Sequence, residues 1–206
     1  MGACERRARR SPGRTALAAR YKGRARHDPT APLTASSKPT LTLRDATLAD
    51  LALIDGIHVR SRQAAYRGLV SDHYLDVAMP AASIEDWRSK LPEMLAGRGR
   101  ALVAETSGEA IGFVCAFAPD DRGSVYVNNL HALPERKGLG VGTALLDAIA
   151  SWGRASGARA MHLKVLETNT PAIGFYESRG WRCVERVDDA WAGEEVVALV
   201  YAVALT

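Results

Sequence analysis

Leu130-His131-Ala132-Leu133-Pro134-Glu135-Arg136-Lys137-Gly138-Leu139-Gly140-Val141-Gly142 is the stretch that decides the fold. It reads as the end of a strand, a glycine-rich turn and the opening of a helix. Gly138, Gly140 and Gly142 stand at alternate positions and remove the side chains that would block close approach to the backbone. The first amides of the following helix have no partner within it and point at whatever sits on its end. Arg136 and Lys137 add positive charge beside the turn. A polyanion such as the diphosphate of a coenzyme suits this cradle, although glycine-rich turns also precede helices without binding anything.

Two better-known phosphate loops do not fit. A Walker loop needs Gly-Lys-Ser or Gly-Lys-Thr at the helix start, and here Gly142 is followed by Thr143 and Ala144. A dinucleotide fingerprint needs a third glycine where this chain has Thr143 or Leu145.

Working outward, Val141, Ala144, Leu145, Ala148, Ile149 and Trp152 form one apolar stripe at helical spacing, which predicts a helix over 141–156. Pro134 stops the strand before it, over 124–132. A second strand-to-helix unit follows, with a strand over 160–166 and a helix over 171–179. Thr170-Pro171 supplies a hydroxyl cap and a proline start, and Gly180 a left-handed end. Ala172, Phe175, Tyr176 and Arg179 share one face, and Asn169 sits in the turn.

The order of strand, Lys-Gly-x-Gly-x-Gly turn, helix, then Asn169-x-x-Ala172-x-x-x-Tyr176 and Gly180-Trp181 resembles the GNAT superfamily of acetyl-CoA-dependent N-acetyltransferases. Lys137 stands where that family usually has Gln or Arg, and it keeps the charge. Leu43-Arg44-Asp45-Ala46-Thr47 and Ser61-Arg62-Gln63-Ala64-Ala65-Tyr66-Arg67-Gly68 resemble the amino-terminal part of its bacterial members. The likeness covers residues 41–206. It implies an α/β fold with a mixed, mostly antiparallel, twisted sheet flanked by helices.

The resemblance implies acetyl-CoA as co-substrate and transfer of its acetyl group to a primary amine of a small molecule or protein. Coenzyme contacts fall on the backbone of Leu130, His131 and Ala132, on Arg136, Lys137, Gly138, Leu139, Gly140, Val141, Gly142 and Thr143, and on Asn169. Tyr176 takes the place of the phenol that protonates the departing sulfur; packing on its helix face is the alternative. No carboxylate stands where the family often has its base: Tyr126, Asn128 and Asn129 occupy one such stretch, and Lys164 another. His131 is a candidate for titration near neutrality. Helical spacing puts His58 and Ser61 on a buried stripe with Leu51, Ile54 and Ala65. Together with Tyr66, Tyr126 and Asn128 they are expected to line the acceptor pocket. A non-catalytic acyl-CoA-binding or sensing module is the alternative function.

The remaining elements read as strands over 41–45, 101–106, 110–118, 181–187 and 194–204, with helices within 48–65, 71–78 and 82–96. Thr47-Leu48-Ala49-Asp50 resembles a capping box. Residues 1–40 carry ten Lys or Arg against Glu5 and Asp28, whereas the remainder holds 17 basic and 21 acidic residues. The first 40 residues are therefore expected to be a disordered, Arg-rich tail and linker. A functionless extension, an organellar leader, a non-native translation start and a basic arm all fit that composition.

Cys4, Cys115 and Cys183 have no paired spacing, and the five histidines no ligand spacing, so neither disulfide nor metal is expected. Val196 to Leu205 is too short to span a membrane as a helix and reads as a buried strand. A cytoplasmic protein with no membrane or nucleic-acid partner is expected, and a homodimer would be ordinary for the resembled family.

Overall fold

The computed structural model describes residues 40–191 and 194–206, so the predicted tail over 1–40 lies almost wholly outside the described residues. The elements run β1 (Leu41–Asp45), α1 (Leu51–Tyr66), α2 (Met79–Glu93), β2 (Gly99–Thr106), β3 (Glu109–Phe117) and β4 (Ser124–Ala132). Then follow α3 (Val141–Ala155), β5 (Ala160–Leu166), α4 (Thr170–Glu177), β6 (Arg182–Trp191) and β7 (Glu194–Ala204). The strands form one seven-stranded sheet in the order β1-β2-β3-β4-β5-β7-β6. Every neighbouring pair is antiparallel except β4 and β5. The mixed, mostly antiparallel sheet expected from the sequence is the one observed.

Alternation along β3 builds a core on each face of the sheet. Val114 and Ala116 join Leu145, Ile149 and Tyr176 on the face of α3 and α4. Phe113 and Cys115 join Ile54, Ile57, Trp87 and Leu91 on the face of α1 and α2. Successive side chains of a strand point to opposite faces, so a strand covered on both sides is apolar throughout. Cys115 is fully buried, and burial pushes its thiol up to about 12. It is a core residue.

Before α1, Thr47 donates to Asp50 Oδ2 from its backbone (2.8 Å) and its hydroxyl (3.0 Å), the expected reciprocal cap. Arg44 grips the same carboxylate with two bonds of 2.8 and 2.7 Å and also binds Glu105. The guanidinium beside Asp50 holds its carboxyl down at about 2.

Three local expectations are corrected. The helices predicted over 71–78 and 82–96 are one continuous stretch. A wide π turn, Tyr74–Ala78, precedes Pro80 and lets the chain pass a residue that lacks an amide. Ala65 is exposed, because the last turn of α1 overhangs an opening. The cap of α4 is Asn169, whose Oδ1 accepts from the Ala172 amide at 3.3 Å, with Thr170 already inside the helix. Gly157 and Gly180 end their helices at φ 80° and 81°, as left-handed caps do.

Candidate active site

The site begins where the sheet comes apart. β4 and β5 pair only over Ser124↔Ala160, Val125↔Met161 and Tyr126↔His162. Beyond that point β4 stays bonded to β3, through Leu130↔Val114, His131↔Phe113 and Ala132↔Gly112. Its other edge has no strand beside it, so the amides and carbonyls of 130–132 on that side are available to an extended ligand. A bulge at Asn128, between Val127↔Ala116 and Asn129↔Cys115, bends β4 at the fork. The side-chain oxygens of Asn128 and Asn129 are buried there without a partner.

The glycine turn closes one end of this gap. Gly138 and Gly140 have φ of 83° and 75°, conformations that any residue with a Cβ resists, and nothing crowds either position. Gly140 precedes α3, and the first bond of that helix runs from the Ala144 amide to Gly140 O (3.0 Å). The amides of Val141, Gly142 and Thr143 are left to face a ligand. Gly142 is glycine for a packing reason: a Cβ there would sit 3.0 Å from Phe175 Cζ.

Arg179, placed only on the α4 face by the sequence, turns out to stand at this helix start. Its guanidinium stacks on the Phe175 ring at 3.8 Å and donates to Thr143 Oγ1 at 2.5 and 3.2 Å. Its place seven residues before Arg186 and three after Tyr176 carried no charge signal of its own. Arg136 is tied to Glu109, with its Nε buried and unpartnered. Lys137 is exposed and makes no ion pair among the described residues.

Tyr176 projects from α4 into the same space. It is 9% exposed and packs edge-on against Phe175 and tilted against Trp181. Burial raises its pKa, so the phenol keeps its proton. From the opposite wall Tyr66, at the end of α1, hydrogen-bonds the Asn169 side chain. Asn169 thus caps α4 and ties it to α1 across the opening.

The wall contributed by α1 and β4 is built on two histidines whose rings lie 4.8 Å apart. The indole Nε1–H of Trp87 donates to His58 Nδ1 (3.1 Å), and Ser83 Oγ meets the same nitrogen at 3.0 Å. An indole can only donate, so Nδ1 is the acceptor and the proton of neutral His58 resides on Nε2. Ser61 spends its hydroxyl proton on the His58 carbonyl (3.0 Å) and so accepts from His131 Nδ1–H at 2.7 Å. His131 is the opposite tautomer, with a bare lone pair on Nε2.

Burial drives His58 down to about 2 and His131 to about 3, with the positive charge of Arg62 adding to both. The expectation that His131 titrates near neutrality is therefore corrected: burial and the Arg62 charge both disfavour its charged form. Phe113 stacks on it at 5.4 Å. Further along the sheet Tyr126 is sandwiched between Phe117 and His162, and Lys164 pairs with Asp189 at 3.2 Å.

All of this opens into one cavity of about 1050 Å³. Every residue singled out from the sequence lines it except Leu139, which points outward and is 48% exposed. Ser83, Trp87 and Lys90, which the sequence reading passed over, line or brace the same wall; their i, i+4, i+7 spacing on the predicted 82–96 helix was the available signal. Among the described residues no group of three His, Cys, Asp or Glu could hold a metal ion, and no helix is long and apolar enough to cross a membrane.

Comparison with known proteins points the same way as this geometry. The model of the acetyltransferase (GNAT) family matches residues 62–181. An acetyltransferase of Pectobacterium atrosepticum is 36% identical over 84 residues, which are 41% of this chain and 58% of that protein. The chain thus matches little more than half the length of that curated relative. A GCN5-related N-acetyltransferase from Rhodopseudomonas palustris superposes with TM-score 0.66 at 24% identity, over 82% of this chain and 96% of that one. The PaiA N-acetyltransferase of Thermoplasma acidophilum, in complex with coenzyme A, gives 0.66 at 18%, over 78% and 98%. The Salmonella typhimurium protein yncA, with acetyl-CoA, gives 0.61 at 19%, over 81% and 95%.

Proposed function

The chain belongs to the acetyltransferase (GNAT) family, and on that premise we propose that it moves an acetyl group from acetyl-CoA to a primary amine of a small molecule or protein. Enzymes of this family use acetyl-CoA as co-substrate, which supplies an activated thioester when bound. One observation carries the reading: β4 and β5 part beside an amide-rich helix start, with a protonated phenol set at the gap.

In this reading the open edge of β4 at 130–132 holds the pantetheine arm as an added strand. The amides of Val141 to Thr143 take the diphosphate, and Lys137 and Arg179 neutralise it. The residues fit such a group, because Lys137 makes no ion pair among the described residues and Arg179 is held only by neutral oxygens, the Thr143 and Ser178 hydroxyls and the Phe175 carbonyl. The carbonyl carbon forms a bond to the amine nitrogen and loses its bond to sulfur. Tyr176 gives its proton to the departing thiolate, and the proton that the nitrogen sheds as the amide forms passes through solvent and restores the phenol, while His131 Nε2 accepts a hydrogen bond that orients the attacking nitrogen. The amine arrives neutral, since His131 is too weak a base to deprotonate a free ammonium. Asn169 and Tyr66 brace the two walls, and His58 and Ser61 fix the orientation of His131.

Residues 41–206 make up the acetyltransferase domain in this proposal. Release of CoA in the presence of a panel of amines, alongside calorimetric titration of acetyl-CoA, tests it. Turnover of at least one amine is expected. Tight coenzyme binding with no turnover on any amine would leave a binding or sensing module instead.

A further inference from the structure

We propose that the acceptor amine carries a carboxylate of its own, and that Lys90 on α2 receives it, so that the enzyme takes amino-acid-like acceptors. This rests on the acetyl-transfer reading and specifies its second substrate. Lys90 lines the cavity and is half-buried, with its ammonium 5.2 Å from the centre of the Trp87 ring. Trp87 is 1% exposed and anchored to His58, so the lysine head is directed over the floor of the acceptor side. Its charge is felt at His58, which lies in that floor.

Lys90, like Lys137 at the far end of the cavity, has no anion beside it among the described residues. Lys164 is matched by Asp189 at 3.2 Å, and Arg136 by Glu109. Arg62 donates to the Tyr74 hydroxyl at 2.7 Å and lies over two tyrosine rings. Lys90 makes no ion pair among the described residues, not even with Asp86 one turn earlier, which borders the same cavity. A half-buried ammonium held in place over an indole ring, with no carboxylate of the chain beside it, is positioned to receive an anion from the substrate.

The anion is not the coenzyme's. The cations suited to its diphosphate, Lys137 and Arg179, surround the start of α3, whereas Lys90 stands on the α1/α2 side with the histidine pair. Arg62 adds a second positive charge near both histidines. Such a field repels di- and polyamines, favours the neutral form of the nucleophile and rewards a carboxylate on the same molecule.

The experiment compares proteinogenic L-amino acids with their methyl esters, their decarboxylated amines and spermidine, following CoA release by parent and Lys90→Gln. At least one amino acid should exceed its ester and its decarboxylated amine in kcat/KM by about tenfold or more, as expected for a charge-assisted bond. Lys90→Gln should lower kcat/KM for that amino acid by about 10–100-fold, chiefly through KM. It should leave the ester within about twofold of parent, which also shows that the variant folds. Ester or spermidine turned over as well as the amino acids, equal losses on acid and ester, or no turnover of any amino acid would each overturn the proposal. Coenzyme titration separates the two failures: absence of acetyl-CoA binding would bring down the acetyl-transfer reading itself.

Discussion

The two halves of the cavity are made of different material. On the side proposed for the coenzyme the groups offered are mostly backbone: the free edge of β4, two left-handed glycines and the first amides of α3. On the acceptor side they are side chains brought from three separate elements, with His58 and Ser61 on α1, Trp87 and Lys90 on α2, and His131 on β4. A backbone site tolerates change in most side chains and fails when the backbone itself is altered. A side-chain site depends on which tautomers and charges its packing imposes.

The largest effect that would test this contrast lies at Tyr176, the side chain proposed to act on the reacting sulfur. Replacing it with Phe should lower kcat by about 10²–10⁴-fold with little change in acetyl-CoA affinity, because the hydroxyl acts on charge that develops only in the transition state. Steady-state kinetics on an accepted amine decides it. Equal turnover would make Tyr176 a packing aromatic.

Gly140→Val should weaken acetyl-CoA binding on the order of 10–100-fold. It forces a β-branched residue into a left-handed conformation and places methyls where the diphosphate approaches. Calorimetry on a variant that keeps its melting temperature is the measurement. Unchanged affinity would move the phosphate site elsewhere.

The acceptor half should show itself through pH. Both histidines have folded pKa values well below the usual 6.5, so the unfolded chain binds more protons between those values. Stability is then complete above about pH 6.5 and falls as pH drops toward 3, by on the order of 1 kcal/mol per pH unit for each ring. A variant with His58→Asn and His131→Gln should have a flatter dependence over that window, read by denaturant melts. Asp50 has the depressed carboxylate case and loses its contribution only below about pH 4, as the carboxyl is protonated on the way to its folded value of about 2. Parallel profiles for parent and double variant would mean that the rings are hydrated.

The smallest effect concerns the amino terminus. A chain beginning at Pro39 should keep both its melting temperature and its turnover of a small amine, since the charged residues before it lie outside the proposed domain. Loss of activity on truncation would extend the site beyond the boundary at residue 41.

Much of the coenzyme half was legible because its physics is local. Glycine spacing, a proline stop and a 3.6-residue stripe are neighbours in sequence, and β4, β5 and β7 have the bounds read from the chain. Where the reading failed, the cause was non-local or competed with a local rule. Asn169 out-competed Thr170 for the cap because its longer side chain reaches the Ala172 amide. Arg179 reaches the start of α3 only because α4 packs its Phe175 over Gly142. The 71–78 and 82–96 helices join because a π turn absorbs Pro80, a rearrangement no propensity scale anticipates.

The sequence by itself determined the mixed sheet and the glycine turn ahead of α3, because both follow from backbone freedom and periodicity along short stretches, and the order of its motifs carried the resemblance to the family. It also brought His58 and Ser61 to one face of α1. Only the tertiary structure decided what those residues are. A histidine's proton and a lysine's missing counter-ion depend on neighbours far away in the chain: Trp87 is 29 residues from His58, and Ser61 is 70 from His131. Charge and tautomer are properties of an environment, and that environment exists only once α1 and α2 have closed over the sheet.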